Sequence, residues 1–216
     1  MKKQFVLLFG CLALLCSSYG QSMEDALKGT YQEFETDSTF AGKLDAANRF
    51  GLIAGKWNDQ WVTHYYAAYS QIIMSFMEKD DKKKDLYLDE ADKQIEKIKA
   101  LLKTDNDEVY VLAALVANAR IAINPASRWQ KYGNIFDENL TKAKNLQPNN
   151  PRIYYLQGMS KYHTPKMFGG GAKNAISLFE KADELYKNES SDNISKPFWG
   201  KKQNSDMLAT CKKEVE

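Results

Sequence analysis

Apolar residues recur along this chain at alternating steps of three and four, the period of a helix that buries one face. Leu88, Ala91, Ile95, Ile98 and Leu102 form the clearest run, two heptads long and too short to argue for a coiled coil. Two segments, residues 61–77 and 108–123, are apolar nearly all round and predict central helices covered on most sides. Amphipathic stretches at 23–34, 40–57, 136–146, 152–162, 174–186 and 206–214 complete the set. Strand-type alternation is missing over any useful length. Asn, Asp, Gly and Pro collect between these segments, as helix–helix turns require. The pattern therefore predicts an all-α protein.

The predicted helices align in pairs. In the second member of each pair, Ala46, Phe50 and Ile53 share a spacing with Ala91, Ile95 and Ile98, with Phe136, Leu140 and Ala143, and with Ala175, Phe179 and Ala182. In the first member, the small residues Ala68, Ala113 and Gly158 stand 45 residues apart. Each is preceded four positions earlier by a larger one, His64, Val109 and Tyr154. A small residue lets a partner helix approach, and the larger neighbour fills the space beside it.

On these residues the chain resembles the tetratricopeptide repeat family. The segments Ala143 to Pro148 and Ala175–Phe179–Ala182 carry the likeness best, and it covers roughly Leu44 to Tyr186. The resemblance implies a right-handed solenoid of roughly 3.5–4 helical-hairpin repeats with a C-terminal capping helix. The spacing exceeds that family's repeat length, which points to lengthened loops at Asn124–Tyr132 and His163–Gly171. Such a family binds partners on its concave face. Carried over, that face should present Tyr65, Tyr69, Tyr110, Asn118, Tyr155, Met159 and Tyr162, with His163 at its edge. Tyrosine offers a wide apolar surface and a hydroxyl at small entropic cost, which suits a protein or peptide partner.

The N-terminus changes the picture of compartment. Lys2 and Lys3 precede a 12-residue apolar run, Phe5 to Cys16, and then small residues up to Gly20. This order reads as a secretory signal peptide, residues 1–20, followed by one domain at 21–216. The run is shorter than the ~20 residues that a membrane span needs, so no stable membrane insertion is expected. A bacterial, exported, periplasmic or extracellular protein follows. A lipid anchor on Cys16 is the lesser alternative, because Leu15 stands where such signals carry a small residue. Without residues 1–20 the chain has 196 residues and 28 basic against 28 acidic groups. That neutrality argues against a nucleic-acid partner. Lys82–Lys84 is bracketed by acids and reads as a solvated turn. Cys211 alone remains, so no internal disulfide can form.

Chemistry is sparse. His64 and His163 are the two histidines, and neither sits in a His-Glu-x-x-His arrangement. His64, among Trp61, Tyr65 and Tyr66, reads as a hydrogen-bonded core histidine. No nucleophile elbow or phosphate loop occurs. The expectation is no catalysis, no metal and no cofactor. The glycines at 169–171 read as a tight turn that packs Phe168 between helices. Pro197–Gly200 reads as a cap on the last apolar face, with Met207, Leu208 and Cys211. The alternative function is an envelope carrier of a small ligand, its pocket lined by the Trp57–Tyr69 segment and Phe168. A deep cavity of several hundred Å³ would favour the carrier, and an open groove the partner protein.

Overall fold

The structure, a computed structural model, describes residues 22–190 and 193–216. The signal-peptide reading and Cys16 lie outside the described residues. The chain forms helices α1 (Met23–Thr36), α2 (Phe40–Lys56), α3 (Trp61–Met77), α4 (Asp81–Leu101) and α5 (Asp107–Ile123). Then follow α6 (Pro125–Leu146), α7 (Pro151–His163), α8 (Ala172–Tyr186) and α9 (Lys201–Val215). No strand occurs among the described residues, and none of the helices is long and apolar enough to cross a membrane.

Local chemistry sets the helix starts. Asp80 accepts from the Lys83 amide at 3.0 Å, Asn106 from Glu108 at 2.9 Å, and Asn150 from Arg152 at 3.0 Å. Each such cap satisfies an amide that the helix cannot, and contributes about 1 kcal/mol. Asn124 does the same for Ser127 at 3.2 Å, and Pro125 follows in the first helical position. Residues 124–132, expected as a lengthened loop, are therefore the first turns of α6. The expected turn around Lys82–Lys84 is likewise the start of α4. The second expected loop is present at 164–171, where Lys166–Phe168 forms one 3-10 turn. Gly169 and Gly171 follow at φ 78° and 91°, in the region that favours glycine. Phe168 is 70% exposed there, so the turn does not pack it between helices as expected.

Helices pack as sequential hairpins: α1 with α2, α3 with α4, α5 with α6 and α7 with α8. The first members α3, α5 and α7 also lie side by side. Each residue of the four aligned triplets, from Ala46 to Ala182, is buried. The reason for the small residue at 158 is explicit. A Cβ there would stand 2.6 Å from the Phe179 ring, so only glycine lets α7 and α8 approach this closely. Ala68 is also buried, while Ala113 is half-buried.

The N-terminal ends of α3, α5 and α7 are joined by a buried polar network. Arg152 on α7 places Nε 3.0 Å and Nη2 2.6 Å from Glu108 Oε1 on α5. Its Nη2 also meets Glu189 at 2.7 Å. Tyr65 on α3 donates to Glu108 Oε2 at 2.9 Å, and the Trp199 indole N–H donates to the Tyr65 hydroxyl at 2.7 Å. Arg152 Nη1 and the Tyr186 hydroxyl both donate to the Trp199 carbonyl, at 3.3 and 3.2 Å. Burial opposes the charge on Arg152, but Glu108 and Glu189 more than offset it and hold its pKa above the usual range. Burial pushes the Glu108 carboxyl up, against the pull of Arg152. The network ties residues 197–200, from the far end of the chain, to three earlier helices.

Candidate functional site

Beyond the network, the C-terminal halves of the same three helices leave a space between them. Tyr69, Ile73 and Phe76 recur at four and three along α3 and share one face. Leu115, Asn118, Ile121 and Ala122 line it from α5, and Tyr155, Leu156, Met159 and His163 from α7. Trp199 and Gln203 also line it, and Pro125 borders it from the first turn of α6. The cavity has a volume of about 630 Å³. Phe76 and His163 are exposed at its rim, so it opens to solvent there.

The lining is aromatic and aliphatic, with five polar side chains, Tyr69, Asn118, Tyr155, His163 and Gln203, and no charged one. The Tyr69 ring stacks on Trp199 with centroids 5.0 Å apart and planes at 27°. Tyr155 meets Trp199 edge-on at 6.4 Å. Stacked and edge-on pairs of this kind hold rings in place beyond what area burial gives. Burial pushes the Tyr155 phenol up to about 12, and raises that of Tyr69 as well, with Glu35 adding to the effect there. Both hydroxyls therefore stay protonated in neutral water. Chemically such a lining can cover an apolar molecule and offer it a few hydrogen-bonding groups, with one imidazole at the mouth.

Five of the eight residues expected on the inner face line this cavity: Tyr69, Asn118, Tyr155, Met159 and His163. The other three are elsewhere. Tyr65 is fully buried in the polar network. Tyr110 donates to Asp105 at 2.8 Å at the opposite end of α5. Tyr162 donates to Glu214 on α9 at 2.6 Å and packs with α8 and α9. His64 is the expected core histidine, its Nδ1 2.7 Å from Gln94 Oε1 and its Nε2 3.1 Å from the Asn58 carbonyl. The alternative pocket, between Trp57–Tyr69 and Phe168, is not formed as expected: Tyr69 lines the cavity and Phe168 does not. Trp199, Gln203, Ile73 and Phe76 were missed. The four–three spacing of Tyr69, Ile73 and Phe76 was a usable signal. Nothing local to Trp199 announced that it would reach α3.

Capping by the C-terminal segment is divided. Met207, Leu208 and buried Cys211 cover α8, packing with Ala172, Ala175 and Phe179. Trp199 turns the other way, into the space between α3 and α7. A second, larger cavity of about 1070 Å³ lies at the N-terminal ends, bordered by Asp107, Glu108, Arg152, Lys181 and Glu184. Its charged lining is largely engaged in the network and in ion pairs, so the apolar cavity is the better ligand site.

Fold and cavity together define an all-helical protein with an uncharged, aromatic-lined recess between three side-by-side helices. No protein-family model matches the chain, and no curated protein sequence does. Among solved structures it is similar to the HusA haemophore from Porphyromonas gingivalis, with 30% identity and a TM-score of 0.78 over 92% of this chain and 96% of that one. At this identity over nearly all of both chains, the protein belongs to the same family as HusA. This overturns the tetratricopeptide resemblance: the match is to a haemophore, and the helix-crossing residues that suggested repeats describe packing rather than descent. The expected protein or peptide partner is corrected on the same finding, because a haemophore is named for a small molecule. The physical reason is visible in the burial of Tyr65 and Tyr69 and the half-burial of Tyr155, which form walls and core rather than an exposed strip.

Proposed function

We propose that the protein is a non-enzymatic carrier of a flat, largely apolar molecule of the haem class, held between α3, α5 and α7. The observation that carries this reading is the aromatic, uncharged cavity of about 630 Å³, within the roughly 300–1,000 Å³ of small-molecule sites. Membership of the HusA family supports it. Tyr69, Tyr155 and Trp199 offer ring faces and edges, and Ile73, Leu115 and Met159 cover apolar surface. In this reading the stacked hairpins curve so that α3, α5 and α7 face inward. Export fits a scavenger of external ligand, and the basic-then-apolar start of the chain agrees with it.

The test is titration of the purified protein with haem and with metal-free protoporphyrin, followed by equilibrium dialysis. Saturable one-site binding is expected. Ala122→Trp places a bulky ring in the cavity from an exposed position, and should weaken binding by on the order of tenfold or more while the helical circular dichroism stays unchanged. Binding that is unsaturable, or that Ala122→Trp leaves intact, removes the reading.

A further inference from the structure

The glycine turn after α7 does not line the cavity, yet it is tied at each step. The Phe168 and Gly170 amides donate to the Pro165 carbonyl at 2.9 and 3.2 Å, and the Gly169 amide donates to Lys166 at 3.0 Å. Gly171 donates to the Lys161 carbonyl at 2.9 Å, and the Asn174 side chain donates to the Gly169 and Gly170 carbonyls at 3.2 and 3.0 Å. A Cβ on Gly170 would stand 2.0 Å from the Thr164 carbonyl oxygen, so only glycine fits there. This turn holds Met167 and Phe168 out in solvent, 83% and 70% exposed. Large apolar side chains grouped in this way mark an interaction surface.

Other exposed apolar groups border the cavity mouth. Phe76 stands in the last turn of α3, and Trp129, 63% exposed, lies one helical turn beyond Pro125 on α6. Unpaired positive charge accompanies them. No Asp or Glu occurs from residue 153 to 179, whereas Lys161, Lys166 and Lys173 do. Among the described residues none of these three ammonium groups meets a carboxylate. The turn from α3 to α4 carries Glu78, Asp80 and Asp81 against Lys79 and Lys82–Lys84, so it adds no net negative charge. None of these lysines lines the recess itself, which keeps its uncharged wall.

We propose that this face docks the protein, mouth down, on an anionic lipid surface, with Met167, Phe168 and Trp129 entering the boundary between headgroups and acyl chains. The docking rests on the carrier reading above only for its purpose. A largely apolar ligand partitions into a bilayer, and a mouth set against that bilayer shortens the ligand's path through water. The charge pattern selects lipid as the occupant. Apolar tips beside unpaired lysines match both layers of a bilayer at once, the tips in the acyl region and the ammonium groups at the phosphates. Tryptophan favours the same boundary, and lysine stems can lie along apolar surface while their heads stay wet. The contact is interfacial, since none of the described helices is long and apolar enough to cross a membrane.

The experiment measures co-sedimentation of the purified, ligand-free protein with two kinds of vesicle, phosphatidylcholine alone and phosphatidylcholine mixed with phosphatidylglycerol. Binding to the anionic vesicles is expected, on the order of tenfold tighter than to phosphatidylcholine alone and weakened by high salt. Replacing Met167→Ser and Phe168→Ser together should lower it by on the order of tenfold or more. Replacing Lys166→Gln and Lys173→Gln together should lower it by roughly tenfold on anionic vesicles and leave binding to phosphatidylcholine unchanged. Both pairs lie outside the cavity, so haem titration without vesicles should stay within about twofold of wild type, and circular dichroism checks the fold. Absence of wild-type binding to anionic vesicles, or binding that the serine pair leaves intact, overturns the docking and assigns the face to a protein partner. If haem binds and vesicles do not, the docking falls alone. If vesicles bind and haem does not, the carrier reading falls and the docking stands.

Discussion

The two ends of α3, α5 and α7 are built on opposite principles. At their N-terminal ends, Glu108, Arg152, Tyr65 and Trp199 fill the junction with hydrogen bonds. At their C-terminal ends, the same helices carry uncharged side chains around a space. The first end fixes how the helices sit, and the second can afterwards remain open without collapsing. Trp199 belongs to both: its indole N–H completes the network, and its ring walls the cavity. Rigidity and vacancy are thus joined through one residue, and the variants below separate them.

Arg152→Met breaks the junction most severely, because it leaves Glu108 buried beside Asp107 without its cation. Breaking such a pair costs about 3–5 kcal/mol, to be measured by chemical denaturation. Trp199→Ala removes the shared residue and should cost about 3 kcal/mol or more through the void it leaves. Trp199→Phe keeps the ring but loses the bond to Tyr65, at about 1 kcal/mol. If Trp199→Ala lowered stability without weakening haem-class binding, the two ends would be independent. Gly158→Val drives side-chain atoms into the Phe179 ring, and overpacking of this kind costs about 1–3 kcal/mol. It should spare the cavity lining while lowering the melting temperature.

The smallest effect concerns pH and lies outside both ends. Hydrogen bonds from Arg128, with Arg120 adding to them, hold the Asp85 carboxyl below its usual range. A depressed carboxylate stabilises the fold above its unfolded value, and that stability is lost as pH falls through the folded value. Asp85→Asn should therefore be less stable than wild type at neutral pH, with the gap closing below about pH 4. A gap that does not change with pH would show that the bonds, not the charge, matter there.

The helices were legible because burial imposes a period, and Phe136, Leu140 and Ala143 carry it as plainly as Ala175, Phe179 and Ala182. The starts of α4 and α6 were not. Asp80 and Asn124 look the same in sequence whether they end a loop or cap a helix, and the first turns of α6 are mostly exposed and bury no periodic face. In the site, the spacing of Tyr155, Met159 and His163 was readable, since one helix decides it. Tyr65 and Tyr69 differ by one turn and point the same way, yet one is sealed in the network and the other faces the cavity. That difference is set by Trp199, more than a hundred residues downstream, and no local pattern encodes it. The repeat likeness misled for a related reason: small residues at helix crossings answer to geometry, and unrelated families meet the same demand.

Because Tyr65, Glu108 and Arg152 meet at one end, the three helices run in the same direction. Their peptide dipoles are then aligned, with the partially negative ends gathered near Phe76, Ile121 and His163. The recess, though it has no charged side chain, sits in a field that favours positive charge and repels anions. In the proposed carrier reading, a ligand with carboxylates on one edge would be turned so that those carboxylates face water. Orientation would come from the backbone, and the side chains would be left to provide shape.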